Sequence, residues 1–360
     1  PAGRNTGSSL SRKGGASVTR FLLAGGGTAG HVNPLLAVAD GLRARAADDT
    51  VLVLGTREGL DARLVPGRGY ELVFVGKVPF PRRPNKAAAA FPSRFLRAVG
   101  QVRAIIRERG IDAVVGFGGY ASAPAYVAAR RERPPVVVHE ANARPGLATV
   151  LGARAAAGVG VAFEGTPLRG SVVVGMPLRR EVVSLDRAAT RDEAAAFFGL
   201  DASRPTLLVF GGSLGALRLN QAFGGAYADV LAAGWQLVHV TGERSDLADP
   251  GVPGYVLRRY VDRMDLAFAI ADMIVSRGGA ATVSEISALG IPAVYVPYAV
   301  GNGEQRHNAA SAVAAGAAII IDDADFTAAR VRETLVPLLA DRTRIDAMAG
   351  AAASIGTRTG

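Results

Sequence analysis

His31 closes a glycine-rich run, Ala24-Gly25-Gly26-Gly27-Thr28-Ala29-Gly30-His31-Val32-Asn33-Pro34. A short apolar stretch, Phe21–Ala24, precedes the run, and a helical pattern from Leu35 to Arg45 follows it. A strand, a glycine turn and a helix start form an anion-binding corner, because unpaired backbone N–H groups and the helix dipole converge on one spot. The imidazole adds a titratable group there. A helix N-terminus disfavours the imidazolium, so the ring stays neutral and can accept a proton near pH 7. The arrangement predicts a general base beside a phosphate site; the plainer alternative is a histidine that hydrogen-bonds locally at a helix start.

The spacing Gly25-x-Gly27-x-x-Gly30 also satisfies a dinucleotide fingerprint. That reading needs an acid at the end of the second strand to hold a ribose, and the strand ends Leu54-Gly55-Thr56-Arg57. A nicotinamide enzyme is therefore demoted. A second corner, Phe210-Gly211-Gly212-Ser213-Leu214-Gly215-Ala216, again follows a strand and opens a helix. Its amides and the Ser213 hydroxyl suit phosphate oxygens. A third, Ser276-Arg277-Gly278-Gly279-Ala280-Ala281-Thr282-Val283-Ser284-Glu285, places Glu285 inside the helix after the turn. A carboxylate there can hold two ribose hydroxyls, or face solvent. Gln305, in Gly301–Asn308, can donate and accept as sugar hydroxyls require, or serve as a helix cap. His139-Glu140-Ala141-Asn142 ends a strand at a sheet's carboxyl edge, where α/β ligands bind. Asp323-Ala324-Asp325 has no supporting acid or histidine cluster in the sequence and reads as surface.

The elements that must position these residues alternate. Short Val/Leu-rich runs are expected as strands at 21–24, 51–54, 72–75, 113–117, 136–139 and 159–162, then at 207–210, 236–240, 273–275, 293–296 and 318–321. Ala-rich helical stretches separate them, the signature of doubly wound α/β units. A turn-rich stretch, Glu164–Gly170, divides the two series. The expected organisation is a disordered extension over 1–17, one Rossmann-like domain over 18–168 and a second over 169–360, with the ligand site in the cleft between them.

Composition narrows the chemistry. The chain of 360 residues has no cysteine, which excludes disulfides, thiolate metal sites and a cysteine nucleophile. Its four histidines form no pair with metal-ligand spacing on one helix turn, so no metal site is expected. The net charge of +10 comes almost wholly from arginine, as codon bias in a GC-rich genome would produce. Its distribution is still informative. Arg82, Arg83, Lys86, Arg94, Arg97, Arg103 and Arg107 crowd one stretch against the lone acid Glu108. Phe95, Val99, Val102 and Ile106 form an apolar stripe on the expected helix Ser93–Arg109, and Phe80 and Phe91 lie before it. Such interleaving suits an anionic bilayer surface, with Phe80, Arg82, Arg83, Phe91, Arg94, Phe95 and Arg97 as the contacts; the safer alternative is an ordinary helix packed on its sheet. No apolar run reaches the roughly 20 residues of a membrane span.

Taken in order, Gly25–Pro34, Gly118-Gly119-Tyr120, His139–Asn142, Gly175-Met176-Pro177-Leu178-Arg179, Phe210–Ala216, Ser276–Glu285 and Gly301–Asn308 resemble the MurG family of glycosyltransferases over about residues 20 to 355. The resemblance implies a GT-B architecture, an α/β fold of two Rossmann-like domains with parallel sheets facing across a cleft. It implies inverting transfer of N-acetylglucosamine (GlcNAc) from UDP-GlcNAc to the 4-hydroxyl of the N-acetylmuramic acid (MurNAc) unit of lipid I, giving lipid II and UDP for peptidoglycan synthesis. His31 would be the base, and Thr28, Ala29 and Gly30 the loop near the donor and the lipid diphosphate. Asn142, Arg179 and Ser213 are similar to donor contacts. Val261 matches the position that binds uracil through its backbone. Ala280, Ala281, Thr282, Val283, Ser284 and Glu285 form the corner over the nucleotide, and Gln305 matches a sugar-reading glutamine. The resemblance implies no cofactor and no nucleic acid partner, with a peripheral place on the cytoplasmic face of the plasma membrane beside other cell-wall synthesis proteins. The pattern departs at Ala29, where glycine is common, at Leu214, where glutamine is usual, and at Glu304, where a second glutamine is common. Two further readings stay open: a GT-B enzyme for another lipid or natural-product acceptor, and a non-catalytic UDP-sugar-binding scaffold.

Overall fold

The computed structural model describes residues 18–27, 29–57, 60–81, 86–212, 215–298 and 303–358. Thr28, Arg82, Arg83, Ser213 and Leu214, and the expected extension over 1–17, lie outside them.

Two all-parallel sheets organise the chain. The first joins β1 (Arg20–Ala24), β2 (Thr50–Gly55), β3 (Glu71–Phe74), β4 (Ala113–Gly116), β5 (Val136–Glu140), β6 (Gly158–Val161) and β7 (Ser171–Val173) in the order β3-β2-β1-β4-β5-β6-β7. The second joins β8 (Thr206–Phe210), β9 (Gln236–Val240), β10 (Tyr255–Arg258), β11 (Met273–Ser276), β12 (Ala293–Tyr295) and β13 (Ala318–Ile320) in the order β10-β9-β8-β11-β12-β13. In each sheet the strand order reverses beside the first strand of its series, between β1 and β4 and between β8 and β11. Crevices open outside the carboxyl ends of strands at such switch points. All three glycine corners leave from these four strands.

Burial on both faces explains why the strands read as continuous apolar runs. Leu22 joins the core beneath the long Lys86–Arg109 helix, and Leu23 the opposite core with Val32, Leu35 and Leu36. Leu208 and Leu207 divide in the same way between the two cores of the second sheet. Val99, Val102 and Ile106 are buried in the first sheet's core. Most of the apolar stripe on that helix therefore packs on the sheet.

Two strands depart from expectation. β7 and β10 are short edge strands, each paired on one side only, so their patterns lack the long apolar runs of central strands. Because β7 completes the first sheet, that unit runs past residue 168 to Val173. The linker that follows leads into the Arg187–Phe198 helix, which packs on the second sheet.

Candidate active site

The first corner is more helical than its glycines suggest. The helix spans Ala29–Arg45, starting at Ala29 and not at Leu35, so Gly30 and His31 lie in its first turn. The N–H groups of a first turn have no intrahelical acceptor. Pro34, four residues after Gly30, has no N–H with which to take up the Gly30 carbonyl. Behind the corner, the buried Asp61 carboxylate accepts hydrogen bonds from the Gly27 N–H at 3.2 Å and the Thr56 N–H at 2.5 Å. That brace fixes the glycine turn to the end of β2.

His31 lies against the turn after β4. A β-carbon on Gly118 would come within 3.1 Å of His31 Cδ2 and 3.3 Å of Nε2, and Gly118 has φ +80°. Glycine there lets the imidazole lie flush on the backbone. The Ser122 hydroxyl, 2.7 Å from Ala24 O and 2.6 Å from Gly118 O, ties the ends of β1 and β4 together. Burial pushes the His31 pKa below its ordinary 6.5, and the nearby Glu140 carboxylate opposes that shift. The ring is neutral at pH 7 and able to accept a proton.

The main cavity, about 930 Å³, lies between the two sheets' carboxyl ends. Gly30 and Asn33 line it from the first half, and Arg179, Val261, Ala280, Ala281, Thr282, Glu285 and Gln305 from the second. Gly279 caps the Ala280–Ala288 helix, whose first intrahelical bond runs from the Val283 N–H to Gly279 O at 2.9 Å. The amides of Ala280, Ala281 and Thr282 thus lie ahead of that bond. Glu285, buried, accepts a hydrogen bond from Arg179 Nε at 2.8 Å. Burial opposes the guanidinium's charge, but the Glu285 carboxylate, with Glu181 and Tyr260 nearby, raises the Arg179 pKa overall. Gln305 Oε1 accepts from the Tyr298 N–H at 2.8 Å, which fixes the amide's orientation and aims the side chain's NH2 end elsewhere.

Some expected site residues stand apart from the cavity wall. Val283 points into the core and its N–H is spent on Gly279, so it offers the cavity neither side chain nor amide. Ser284, half-buried, is not part of the lining. Asn142 sits in a polar seam between the halves. Its side chain donates to Glu140 Oε1 at 3.2 Å, and its Oδ1 accepts from Asn308 at 3.3 Å. His139 turns its Nε2 to Gly175 O, 3.1 Å away in the linker.

The cavity also recruits residues that the motifs left unassigned. Arg259 and Tyr260 flank Val261, while Phe210, Met264 and Phe268 give it an apolar floor. Arg277 ion-pairs with Asp323, and both line the wall, so Asp323 faces the cavity and is not plain surface. Their 46-residue separation hides this pair from spacing arguments. Among the described residues, no three His, Asp or Glu side chains gather as a metal-holding group.

The first half's outer surface carries a phenylalanine cluster, with Phe80–Phe91, Phe91–Phe95 and Phe80–Phe95 ring centroids at 5.4, 5.5 and 6.5 Å. The three rings are half-buried; beside them Leu96 is 65% exposed, and Arg94 and Arg97 are exposed. The basic stripe is less bare than its sequence implies: Glu132 pairs with Arg103 and Arg107, each at 2.6 Å, and Glu71 with Arg109.

Known proteins share this arrangement. The family model for the glycosyltransferase family 28 N-terminal domain matches residues 21–161, and that for its C-terminal domain matches residues 206–358. A UDP-N-acetylglucosamine–N-acetylmuramyl-(pentapeptide) pyrophosphoryl-undecaprenol N-acetylglucosamine transferase from Leifsonia xyli is 61% identical over 343 residues, 95% of this chain and 96% of that protein. The chain belongs to the MurG family. A Streptomyces coelicolor MurG-family protein of the same name is 49% identical, covering 94% of each chain. The crystal structure of Acinetobacter baumannii MurG superposes with a TM-score of 0.76 at 28% identity, over 94% of this chain and 96% of that one. The glycosyltransferase of kitacinnamycin, at 20% identity and a TM-score of 0.67, shares the fold. Like other MurG-family chains, this one is a two-domain GT-B glycosyltransferase.

Proposed function

We propose that this chain transfers GlcNAc from UDP-GlcNAc to the MurNAc 4-hydroxyl of lipid I, with inversion, yielding lipid II and UDP. The observation that carries the reading is one cavity lined by the Glu285–Arg179 pair, Gln305 and the amides of Ala280–Thr282, with Gly30 of the opposite wall next in sequence to His31. The uracil takes the apolar floor beside Val261, Glu285 holds the ribose, and Gln305 reads the sugar hydroxyls. Ser213 and its glycine corner, with the helix-start amides, stabilise the departing diphosphate. His31 takes the proton of the acceptor hydroxyl as its oxygen attacks the sugar's C1. The C1–O bond to UDP breaks as the new glycosidic bond forms, and the electron pair leaves on the diphosphate. Thr28, Ala29 and Gly30 hold the acceptor's diphosphate near the base.

Lipid I presents its sugar at a membrane surface, and the Phe80–Phe91–Phe95 cluster with Arg82, Arg83, Arg94 and Arg97 suits that surface. No helix among the described residues is long and apolar enough to cross a membrane. The reading is therefore of peripheral attachment at the cytoplasmic face. Reversing Arg82, Arg83, Arg94 and Arg97 to Glu should weaken binding to anionic vesicles, by up to about 1 kcal/mol per residue.

The test of the activity is transfer from labelled UDP-GlcNAc to lipid I with EDTA present. Label recovered in lipid II supports donor, acceptor and a metal-free mechanism together. Label that stays in UDP-GlcNAc, or moves only when a divalent cation is restored, contradicts one of them.

A further inference from the structure

Asn308 ends the five-residue Glu304–Asn308 helix that begins beside Gln305. It is fully buried, and both its amide oxygen and its amide nitrogen are hydrogen-bonded. Its Oδ1 accepts from the Ala143 N–H at 2.8 Å, and its Nδ2 donates to Asn142 Oδ1 at 3.3 Å and to Gly278 O at 3.1 Å. Two of these three bonds cross from the second half of the molecule to the loop after β5 in the first, across 165 and 166 residues of chain. The third returns to the glycine corner after β11.

The helix is also wedged into place. A β-carbon on Gly278 would stand 2.5 Å from the Gln305 carbonyl oxygen, so only glycine lets the helix sit this close to the corner. Gln305 and Asn308 are one turn apart on this rigid piece. The first lines the cavity and the second grips the opposite half. A shift of Gln305 toward or away from a bound sugar therefore moves Asn308 against Asn142 and Ala143. A second polar link, Arg68 to Glu181 at 3.2 Å, lies between half-exposed side chains that solvent screens.

We propose that Asn308 is a positioning residue, a clasp that holds the two halves closed and couples the donor side of the cavity to the loop carrying Asn142. The proposal rests on the reading of the cavity as the nucleotide-sugar site. In the free protein the clasp sets the separation of the halves. In the complete enzyme it keeps the donor within reach of the acceptor half, where displacement of about 1 Å is enough to slow transfer by about 100-fold.

The test uses the full chain. Its lack of native cysteine allows clean spin-labelling at Arg130→Cys and Asp346→Cys, exposed positions in the two halves. Asn308→Asp keeps the shape and the bond from Ala143 but sets an oxygen against Asn142 Oδ1 and Gly278 O. We expect the label-to-label distances to broaden toward longer values, kcat to fall about 10- to 100-fold and UDP affinity to stay at the wild-type level. Asn308→Ala should reproduce the pattern and carries the test if the aspartate variant does not fold. Unchanged distances and kcat overturn the clasp. A loss of UDP affinity that matches the loss of kcat also overturns it, because Asn308 would then only support its own half through Gly278. If the wild-type chain fails to bind UDP, the nucleotide-sugar reading falls, and the distance measurement still decides whether Asn308 closes the halves.

Discussion

The two glycine corners that follow β1 and β8 are built from one plan and finished differently. Each leaves the first strand of its series beside the switch point of a parallel sheet and runs into a helix. The first is braced by a side chain, the buried Asp61 carboxylate, and carries His31 one residue beyond Gly30. In the second, the bond across the described part of the turn runs between backbone groups, from the Gly215 N–H to Gly212 O at 2.9 Å. Gly215 has φ +78°, and a β-carbon there would stand 2.2 Å from Thr241 O. It has no titratable residue of its own from Gly211 to Ala216. On the proposed function the difference divides the labour: a corner that needs only to hold a diphosphate can rely on amides and a hydroxyl, while one that moves a proton needs a neutral base held in register.

That division can be broken from either side. The largest effect on donor binding is expected at the second corner. Gly215→Val forces a branched side chain into a left-handed conformation and against Thr241, at a cost of about 3 kcal/mol or more. Titration calorimetry should show UDP affinity falling by about 100-fold, while the first corner keeps its geometry. Acid sharpens the contrast next. His239, buried in the second half between Tyr255 and Asn220, has its pKa pushed down by burial to about 4. The unfolded chain binds the proton more readily, so this stabilisation is complete above pH 6.5 and disappears as pH falls toward 4, a loss of about 3 kcal/mol. Denaturant melts at pH 7 and pH 4.5 should show most of it. Burial also lowers the His31 pKa, and there an effect appears in rate: transfer should fall as pH drops and the base is protonated, with its half-point below the 6.5 of an ordinary histidine. The smallest effect belongs to the brace. Asp61→Asn turns one acceptor into a donor facing the Gly27 or Thr56 N–H, costing about 1–3 kcal/mol in thermal melts, with UDP affinity untouched.

Much of this was legible in the chain because parallel strands and glycine turns leave local signatures. All eleven expected strands begin and end within one residue of their apolar runs, and Glu285, Gln305 and Arg179 line the cavity. What stayed hidden depends on contacts between distant parts of the chain. Asp61 meets Gly27 from 34 residues away, Arg277 meets Asp323 from 46, and Asn308 meets Ala143 from 165. No periodicity encodes such meetings, which the packing of the two halves creates. Val283 stands off the cavity wall for a local reason: the helix register turns its side chain to the core while Ala281 and Thr282 face the cavity. The apolar stripe of the Lys86–Arg109 helix was divided by the fold, most of it covering the sheet and its first turns joining the phenylalanine cluster.

The central claim is that the first corner does the chemistry and the second holds the donor. The most direct measurement is kcat for transfer to a lipid I analogue and the dissociation constant for UDP, both on His31→Ala. The account predicts a fall in kcat of about 100- to 10,000-fold with UDP affinity unchanged. Near-normal turnover, or a loss of UDP affinity as large as the loss of rate, would contradict it.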